Sequence, residues 1–469
     1  TIFYLEEEKM KKSLIVVLVL AMLAVPTLVS AQGPTGTYVT GISCVNLDDT
    51  DSASIVLTFY NPAGSAVGSL SDTIPAGGNK QYFTPAITQI PDNFLGSAVV
   101  SSDIPVACSV NTQTSGGTTR VGTSNGVSGD ETGPELYAPQ ILNALGGYSS
   151  YVAVQNASGD AVDVTARYYN SGGAQVYNTT KNIPAYSSYV FYQDDGNLPA
   201  NFIGSAKFEA DDGTTNLAGT VNFYNAGTAA GNAQFLSYNT FTSGASKVYG
   251  PRVAKNLSGV GYTSGWSCQN LGPGNATVTA DVTMQDQANS SNVSATLTSS
   301  SLSEGQAWAV YLGNATGTSL DAITKGFGAA VMTSSGGDIV CIFNEDNRTT
   351  YAGQGSTYSG IPDGPGVTNT LFLAQIVQLG AGSYQGGFQI ANTTSNAGTC
   401  TYTYSDGTTV NNQPLAANGS NSVFASNHVS TGFNGSAVVT CNRPIVGIYN
   451  LSVFGGAGDP FATNNGINQ

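Results

Sequence analysis

Residues 183–222 read IPAYSSYVFYQDDGNLPANFIGSAKFEADDGTTNLAGTVN, and the chain contains four versions of this stretch. The other three cover residues 74–111, 302–344 and 415–450, of which 302–344 is the most diverged. A sequence that repeats one pattern at a spacing close to domain size is built from repeated domains of one fold. The closing asparagines of the four copies are Asn111, Asn222, Asn344 and Asn450.

The second copy and the residues that lead into it predict the fold of each repeat. Residues 151–156, 162–170 and 188–193 alternate apolar and polar side chains, and Ser171-Gly172-Gly173 is typical of a turn. The second copy together with its lead-in contains about seven short segments of this kind and no long helical pattern. We therefore predict an all-β chain of four tandem immunoglobulin-like antiparallel β-sandwich domains.

A segment rich in Gly, Ser and Thr follows each copy and ends near an asparagine, as in residues 123–126, 236–239 and 463–466. We interpret these segments as a final edge strand of each domain. The expected domains are residues 32–130, 131–245, 246–365 and 366–469.

Composition excludes several classes of partner. Charged residues make up only 9% of the chain, against about 25% in typical soluble proteins. The formal charge of −15 is spread thinly and there is no basic patch. Binding to nucleic acid, or to anionic lipid through charge, is therefore not expected. The hydrophobic content of 41% is enough to build cores under an uncharged polar surface.

The amino-terminal region has the pattern of a secretory signal. Met10-Lys11-Lys12 precedes an apolar run at 14–25, and small residues end the segment at Ala31. We expect residues 10–31 to be a signal peptide cut after Ala31, and residues 1–9 to be an upstream leader outside the mature protein. An uncleaved anchor is the alternative, but the apolar run is short for a full span. The expected location is secreted, extracellular or at the cell surface.

The cysteines fit the same oxidising destination. Six cysteines allow fifteen pairings, yet the repeats place two each in the first, third and fourth domains and none in the second. We predict three bridges, each inside its own domain. Metal binding is the rival interpretation, but the chain has no CxxC pair and one histidine. The predicted pairs are Cys44 with Cys108, Cys268 with Cys341, and Cys400 with Cys441.

The chain offers few candidates for catalysis. His428 is the single histidine and lies in a polar loop, where a solvated structural role is expected. The acidic pairs, such as Asp194 and Asp195, lie at predicted strand ends and turns, where Asp is favoured for turn reasons. We predict no catalytic residue and no enzyme. A sugar-stacking platform of exposed Tyr is a further alternative, but Tyr and Phe recur at strand spacing, which favours core positions.

Three acidic residues of one loop offer a calcium site as an alternative. Asp48, Asp49 and Asp51 could supply oxygen ligands, although they lack the glycine and distal glutamate of an EF-hand loop. We predict no required cofactor, with calcium as the alternative. Asn-x-Ser/Thr triplets are about as frequent as chance gives in so Asn-rich a chain, so glycosylation is not predicted. They include Asn156, Asn178, Asn275, Asn314, Asn392 and Asn434.

The repeat resembles the tandem immunoglobulin-like units of secreted and surface proteins of Chloroflexota bacteria. The resemblance covers the whole chain after the signal segment, is tightest in the first two repeats and departs in the third, where no Leu-Pro precedes Phe327. It implies secretion and a surface role, and it implies no catalytic residues. The residues that carry it are Ala138-Pro139, Val154-Gln155-Asn156, Ile183-Pro184-Ala185, residues 198–206 and Val221-Asn222.

The first repeat lacks the full lead-in that the second shows at 136–141, because only residues 32–40 precede its first strong strand. A missing first strand leaves an open sheet edge, which proteins normally cover. A neighbour could fill it by strand addition and form head-to-tail polymers. The alternative is that residues 37–40 supply a short edge strand themselves.

These features favour a secreted, non-enzymatic structural protein of the bacterial cell surface or extracellular matrix, as a surface-layer, sheath or filament subunit. The alternative is an adhesin or carbohydrate-binding protein, and an extracellular hydrolase is a distant third. The expected partners are further copies of the chain, other cell-surface components or glycans.

Overall fold

The computed structural model describes residues 34, 36–225, 234–314, 317–380, 383–453 and 456–468. The expected leader and signal peptide, residues 1–31, lie outside the described residues. Nearly all regular structure in the described ranges is antiparallel β-strand, with a few 3-10 turns. The prediction of an all-β chain of four antiparallel β-sandwich domains is confirmed.

The strands fall into four successive sets. Domain 1 contains β1 (Tyr38–Asn46), β2 (Ala53–Tyr60), β3 (Ala66–Ile74), β4 (Asn79–Phe83), β5 (Ser97–Ser102), β6 (Val106–Thr114) and β7 (Val121–Asn125). Domain 2 contains β8 (Glu135–Asn143), β9 (Tyr148–Asn156), β10 (Val162–Asn170), β11 (Gln175–Ile183), β12 (Ser188–Tyr192), β13 (Phe202–Ala210), β14 (Leu217–Asn225) and β15 (Phe235–Asn239).

The other two domains repeat this order and add a two-residue strand at the end. Domain 3 contains β16 (Lys247–Lys255), β17 (Tyr262–Asn270), β18 (Thr277–Asp286), β19 (Asn292–Thr298), β20 (Ala307–Tyr311), β21 (Gly326–Ser335), β22 (Ile339–Asn347), β23 (Gln354–Ser359) and β24 (Ile361–Pro362). Domain 4 contains β25 (Thr370–Gln378), β26 (Gln385–Asn392), β27 (Gly398–Tyr404), β28 (Thr409–Leu415), β29 (Ser420–Phe424), β30 (Phe433–Cys441), β31 (Ile445–Ser452), β32 (Phe461–Asn465) and β33 (Ile467–Asn468).

Each domain is two facing sheets, which we call outer and inner. In domain 2 the outer sheet has the order β11-β10-β13-β8 and the inner sheet β12-β9-β14-β15. Domain 3 has the same orders, with β24 added beside β16, and in domain 4 the pair Gln378 and Gln385 joins the two sheets. We call the first strand of the outer sheet (β8, β16 or β25) the lead-in strand.

Domain 1 differs because its outer sheet has three strands, β3-β2-β5, and its described residues include no lead-in strand. The alternative that residues 37–40 form a short edge strand of this kind is wrong. Residues 38–40 belong to β1, which pairs with β4 and β6 in the inner sheet and corresponds to β9 of domain 2.

Strand alternation builds the cores. In β10 the side chains of Val164, Ala166 and Tyr168 face inward and are buried, while Asp163 is exposed. They pack in domain 2 against residues that include Val154 and Phe208. Burying a side chain of this size stabilises the fold by about 1.5–3 kcal/mol. The prediction that the recurring Tyr and Phe fill the sandwich is confirmed at these positions.

A buried asparagine explains the Val-Gln-Asn landmark of the sequence. The Asn156 amide donates to the carbonyl oxygens of Asp160 at 2.7 Å and Ile183 at 3.1 Å, and its Oδ1 accepts from the backbone N–H of Ser158 at 2.9 Å. One side chain therefore ties the loop after β9 to the turn before β12. The same bonding pattern recurs at Asn46, Asn270 and Asn392.

The last inner strands of the four domains meet around a common axis. Asn125 N–H donates to Asn239 Oδ1 and Asn239 Nδ2 donates to the Asn125 carbonyl, both at 2.8 Å. Asn465 and Ser359 exchange the same two bonds at 2.6 and 3.0 Å. Bonds from Asn125 to Asn465 and from Ser359 to Asn239 close the cycle. We call these four residues the axial belt.

Small residues are required where these strands meet. A Cβ added at Gly122 would lie 2.8 Å from a ring carbon of Phe235 and closer still to Ser237 Oγ. The gap between β7, β15, β23 and β32 has no room for a water molecule. The Gly, Ser and Thr content that predicted edge strands therefore also reflects close packing of four strands.

Candidate functional site

The predicted disulfides are the first candidate site residues, and all three bridges are present. Cys44–Cys108 and Cys268–Cys341 each join opposed residues of the inner sheet, at the place where Val154 faces Gly219 in domain 2. The third joins two outer-sheet strands. It links Cys400 of β27 to Cys441 of β30. The bridges suggest an oxidising environment, and their cysteines have no free thiol to offer for catalysis or metal binding.

The calcium candidates form a turn. Asp48 Oδ1 accepts from the backbone N–H groups of Thr50 at 2.8 Å and Asp51 at 2.9 Å, and from the Thr50 hydroxyl at 2.6 Å. These bonds, led by the Thr50 hydroxyl, hold the pKa of Asp48 below its usual range. Asp49 and Asp51 lie in the same exposed loop. Across the described residues, no group of three or more His, Cys, Asp or Glu side chains is placed to hold a metal ion.

An open polar cleft of about 500 Å³ lies on the outer sheet of domain 2. Four charged groups in and beside it form ion pairs. Lys207 contacts Glu135 at 2.9 Å and Glu209 at 2.8 Å, and Arg167 contacts Glu209. Burial acts to raise the pKa of Glu209, but Lys207 and Arg167 outweigh it and hold that pKa below its usual range. Asp211 also lines the cleft, so its acidic groups outnumber its basic ones.

His428 lies in a loop, as predicted, but it is half-buried rather than fully solvated. Its Nδ1 is 2.8 Å from the Tyr404 hydroxyl, and its ring packs beside Tyr402. Burial lowers the pKa of His428, so the ring is neutral at pH 7. The partners of this histidine are aromatic side chains, which suits packing of the domain 4 core better than activation of a nucleophile.

One end of the axis contains a buried carboxylate that the sequence did not single out. Asp459 of domain 4 accepts from the backbone N–H of Gly355 at 2.9 Å and of Phe235 at 3.2 Å. Its own N–H donates to the Thr119 carbonyl at 2.7 Å. Burial raises the pKa of Asp459, while these donors and Arg120 act in the opposite direction. Through its side chain and its backbone this residue joins four domains at one point, and its local sequence, GDPF, does not predict that role.

Exposed aromatic side chains occupy equivalent positions at the ends of β4 and β29. Phe83 lies opposite Gly41 and Phe424 lies opposite Gly387, and they are 45% and 56% exposed. Tyr192 and Tyr311 hold the same position in domains 2 and 3. Flat rings open to solvent are suited to stacking on sugars or other flat apolar surfaces.

No protein-family model and no curated protein matches this chain. Among solved structures, the crystal structure of Thermotoga maritima 1070 is 11% identical, with a TM-score of 0.19, over 23% of this chain and 91% of that one. The serine-rich repeat protein Srr2 from Streptococcus agalactiae is 10% identical, with a TM-score of 0.13, over 54% of this chain and 86% of that one. Likenesses at these TM-scores support no inference about fold or function.

Proposed function

We propose that this protein is a secreted, non-enzymatic structural subunit of the bacterial cell surface or extracellular matrix, in a surface layer, sheath or filament. The observation that carries the proposal is the closed cycle of the four domains. The axial belt and Asp459 bind each domain to its neighbours, which makes a compact block instead of four independently moving beads. A block of fixed geometry is what a repeating assembly requires of its subunit.

The disulfides and the composition of the surface support an extracellular setting. The disulfides are stable in oxidising compartments, and an uncharged polar surface gives no electrostatic attraction for nucleic acid. Among the described residues, no helix has the length and apolar character needed to cross a membrane. The expected partners are further copies of the chain or other surface components.

Electron microscopy of the purified chain from Gln32 onward, with disulfides intact, tests the proposal. We expect ordered sheets, tubes or filaments at high protein concentration, with or without calcium. Cell fractionation with an antibody to the protein should place it outside the cytoplasm. Particles that stay monomeric at every concentration, together with no material in surface fractions, would contradict the structural role.

The exposed ring pair Phe83 and Phe424 favours a second candidate, an adhesin or carbohydrate-binding protein. On this candidate, the monomer is retained on glycans, and Phe83→Ala with Phe424→Ala abolishes retention. Val176→Ala is the matched control, since Val176 is 43% exposed on another sheet. Retention that is unchanged by the paired substitution would remove the support these rings give.

A further inference from the structure

The lead-in strand has one pattern in the three domains that possess it. Each is nine residues long, and the residues at its second, fourth and seventh positions face the core of its own domain. Each such residue is fully or almost fully buried. These residues are Leu136, Ala138 and Ile141 in β8, Val248, Gly250 and Val253 in β16, and Leu371, Leu373 and Ile376 in β25.

The lead-in strand lies between two edges of its own domain. On one side, the N–H of Ala210 donates to the Pro134 carbonyl at 2.8 Å, immediately before β8. On the other side, Phe241 and Tyr137 exchange two backbone bonds, at 2.7 and 3.0 Å. Ser334 and Cys441 repeat the first contact, and Ile361 and Ile467 repeat the second pairing.

The next domain covers the lead-in strand from outside. At the fifth strand position, the carbonyl of Pro139 accepts from Ser267 Oγ of domain 3 at 2.7 Å. The Pro251 carbonyl accepts from Gln389 of domain 4 at 2.8 Å, and the Ala374 carbonyl accepts from Ser43 of domain 1 at 3.2 Å. Three of the four domain junctions are therefore built on a lead-in strand.

Domain 1 has both of the elements that flank a lead-in strand in the other domains, but its described residues include no lead-in strand. The N–H of Asp103 donates to the Ser54 carbonyl in β2. Because the backbone groups of successive residues in a strand point to alternate sides, those of Ser102, Val100 and Ala98 point away from β2. Within the described chain, β5 pairs with β2 alone. Val127 lies two residues after the end of β7, as Phe241 lies two residues after the end of β15.

The core side chains beside this gap are correspondingly exposed. Ala98 and Val100 are partly buried. Their equivalents in the complete domains are at most 1% exposed. Those equivalents are Ala206, Ala330 and Ala437 for Ala98, and Phe208, Met332 and Val439 for Val100.

Residues on β9 of domain 2, which face this gap, are also more exposed than their equivalents. Ala153 and Gln155 on β9 are partly exposed. The residues at these positions in the other three domains are buried beneath a lead-in strand, with exposures of 0–7%. They are Ser43 and Val45, Ser267 and Gln269, and Gln389 and Ala391. Residues on both sides of the missing strand are thus less covered than their equivalents, and we call the region bounded by β5, Val127 and β9 the domain 1 slot.

We propose that the domain 1 slot receives a β-strand from a second, different protein, which completes the first sandwich by strand addition. The partner segment is extended and about nine residues long, like the three lead-in strands. It carries apolar side chains at positions two, four and seven to reach Ala98 and Val100. It is uncharged at position five, where it faces Ala153.

One observation favours a donor on another protein. In the described part of the chain every strand already pairs within a sheet, and the last, β33, pairs with β25. A second copy of this chain therefore has no unpaired strand there to donate.

A synthetic peptide tests the slot directly. The probe is ELYAPQILN, the sequence of β8, added to the protein that begins at Gln32. We expect saturable one-to-one binding by calorimetry and slower amide hydrogen exchange in β5. A control peptide with serine at positions two, four and seven should bind at least about tenfold more weakly, because three apolar side chains are no longer buried.

Matched variants locate the binding. Ala153→Trp fills the slot from the domain 2 wall and should abolish binding, whereas Val176→Trp, on the exposed face of β11, should leave it unchanged. Equal melting temperatures of the two variants exclude unfolding as the cause. No binding, or binding that both variants retain, overturns the proposal. Concentration-dependent dimers with β5 protected in the absence of peptide would make the donor a second copy and contradict the choice of a different protein.

The inference stands apart from the proposed structural role. Failure of the peptide to bind leaves the microscopy test of that role unaffected, and an absence of ordered assemblies leaves the slot and its test in place.

Discussion

Replacing Asn156 by alanine tests whether the buried asparagine holds each sandwich together. The side chain is fully buried and makes four hydrogen bonds, from its Nδ2 to the carbonyls of Asp160, Ile183 and Pro184 and to its Oδ1 from the N–H of Ser158. Alanine leaves three carbonyl groups and one N–H without this partner. At a net value of about 1 kcal/mol for each of the two amide protons and for the bond that Oδ1 accepts, Asn156→Ala should lower the free energy of unfolding of domain 2 by about 3 kcal/mol.

Domain 2 suits this measurement because it has no disulfide. Native-state hydrogen exchange of amides in β9 and β12 reports the local free energy of opening, which avoids treating four domains as one transition. Asn178→Ala is the matched control, since Asn178 is exposed on β11, and it should change stability by less than about 0.5 kcal/mol. If both variants exchange at the same rate in β9, the asparagine does not stabilise the domain and the argument is wrong.

Three further outcomes follow from other contacts in the molecule. Glu345→Leu should lower the free energy of thermal unfolding by about 3–5 kcal/mol, because Glu345 binds two nitrogens of Arg252 at 2.8 and 2.9 Å and its loss leaves that guanidinium without this partner. Adding Arg252→Met to Glu345→Leu should recover most of the lost stability, and no recovery would refute the pairing argument. Serine at both Cys400 and Cys441, which are 41 residues apart, should lower stability by about 4 kcal/mol on the chain-entropy model, and an unchanged urea midpoint would contradict it. The pKa of Glu209 is lowered in the folded state, so the stability that this carboxylate contributes is complete above the unfolded pKa of 4.5 and is lost as pH falls through the lower folded pKa. The difference in unfolding free energy between wild type and Glu209→Gln should therefore shrink below pH 4.5. A difference that grows on acidification would contradict the prediction.

Local patterns account for the parts of the fold that the sequence predicts. Alternation of side chains identified β9, β10 and β12, and the repeated landmarks assigned the cysteines to three separate domains before any distance was known. The strands expected to end at Asn222 and its equivalents run about three residues further. In domain 2 the extension continues to Asn225, which pairs with Tyr148 at the start of β9.

The cycle of domains was beyond sequence reasoning for a physical reason. Its contacts join residues more than 100 positions apart, and the side chains involved are small and polar, which is also the composition of a linker. Asp459 shows the same problem, because its partners are backbone N–H groups that carry no residue identity. Burial also argues against glycosylation at two of the Asn-x-Ser/Thr triplets, because the side-chain amides of Asn156 and Asn392 form hydrogen bonds inside the domain.

The cycle of domains also sets an order of events during folding. The Thr123 hydroxyl of domain 1 donates to the Thr463 carbonyl of domain 4, a contact across 340 positions of the chain. A polypeptide is synthesised from its amino end, so domain 1 emerges first, and domains fold as units in that order. Strand β7 then stays uncovered on its domain 4 side until β32 emerges. Closure of the four domains therefore depends on β32, and a chain stalled before it would leave the interface of domain 1 incomplete.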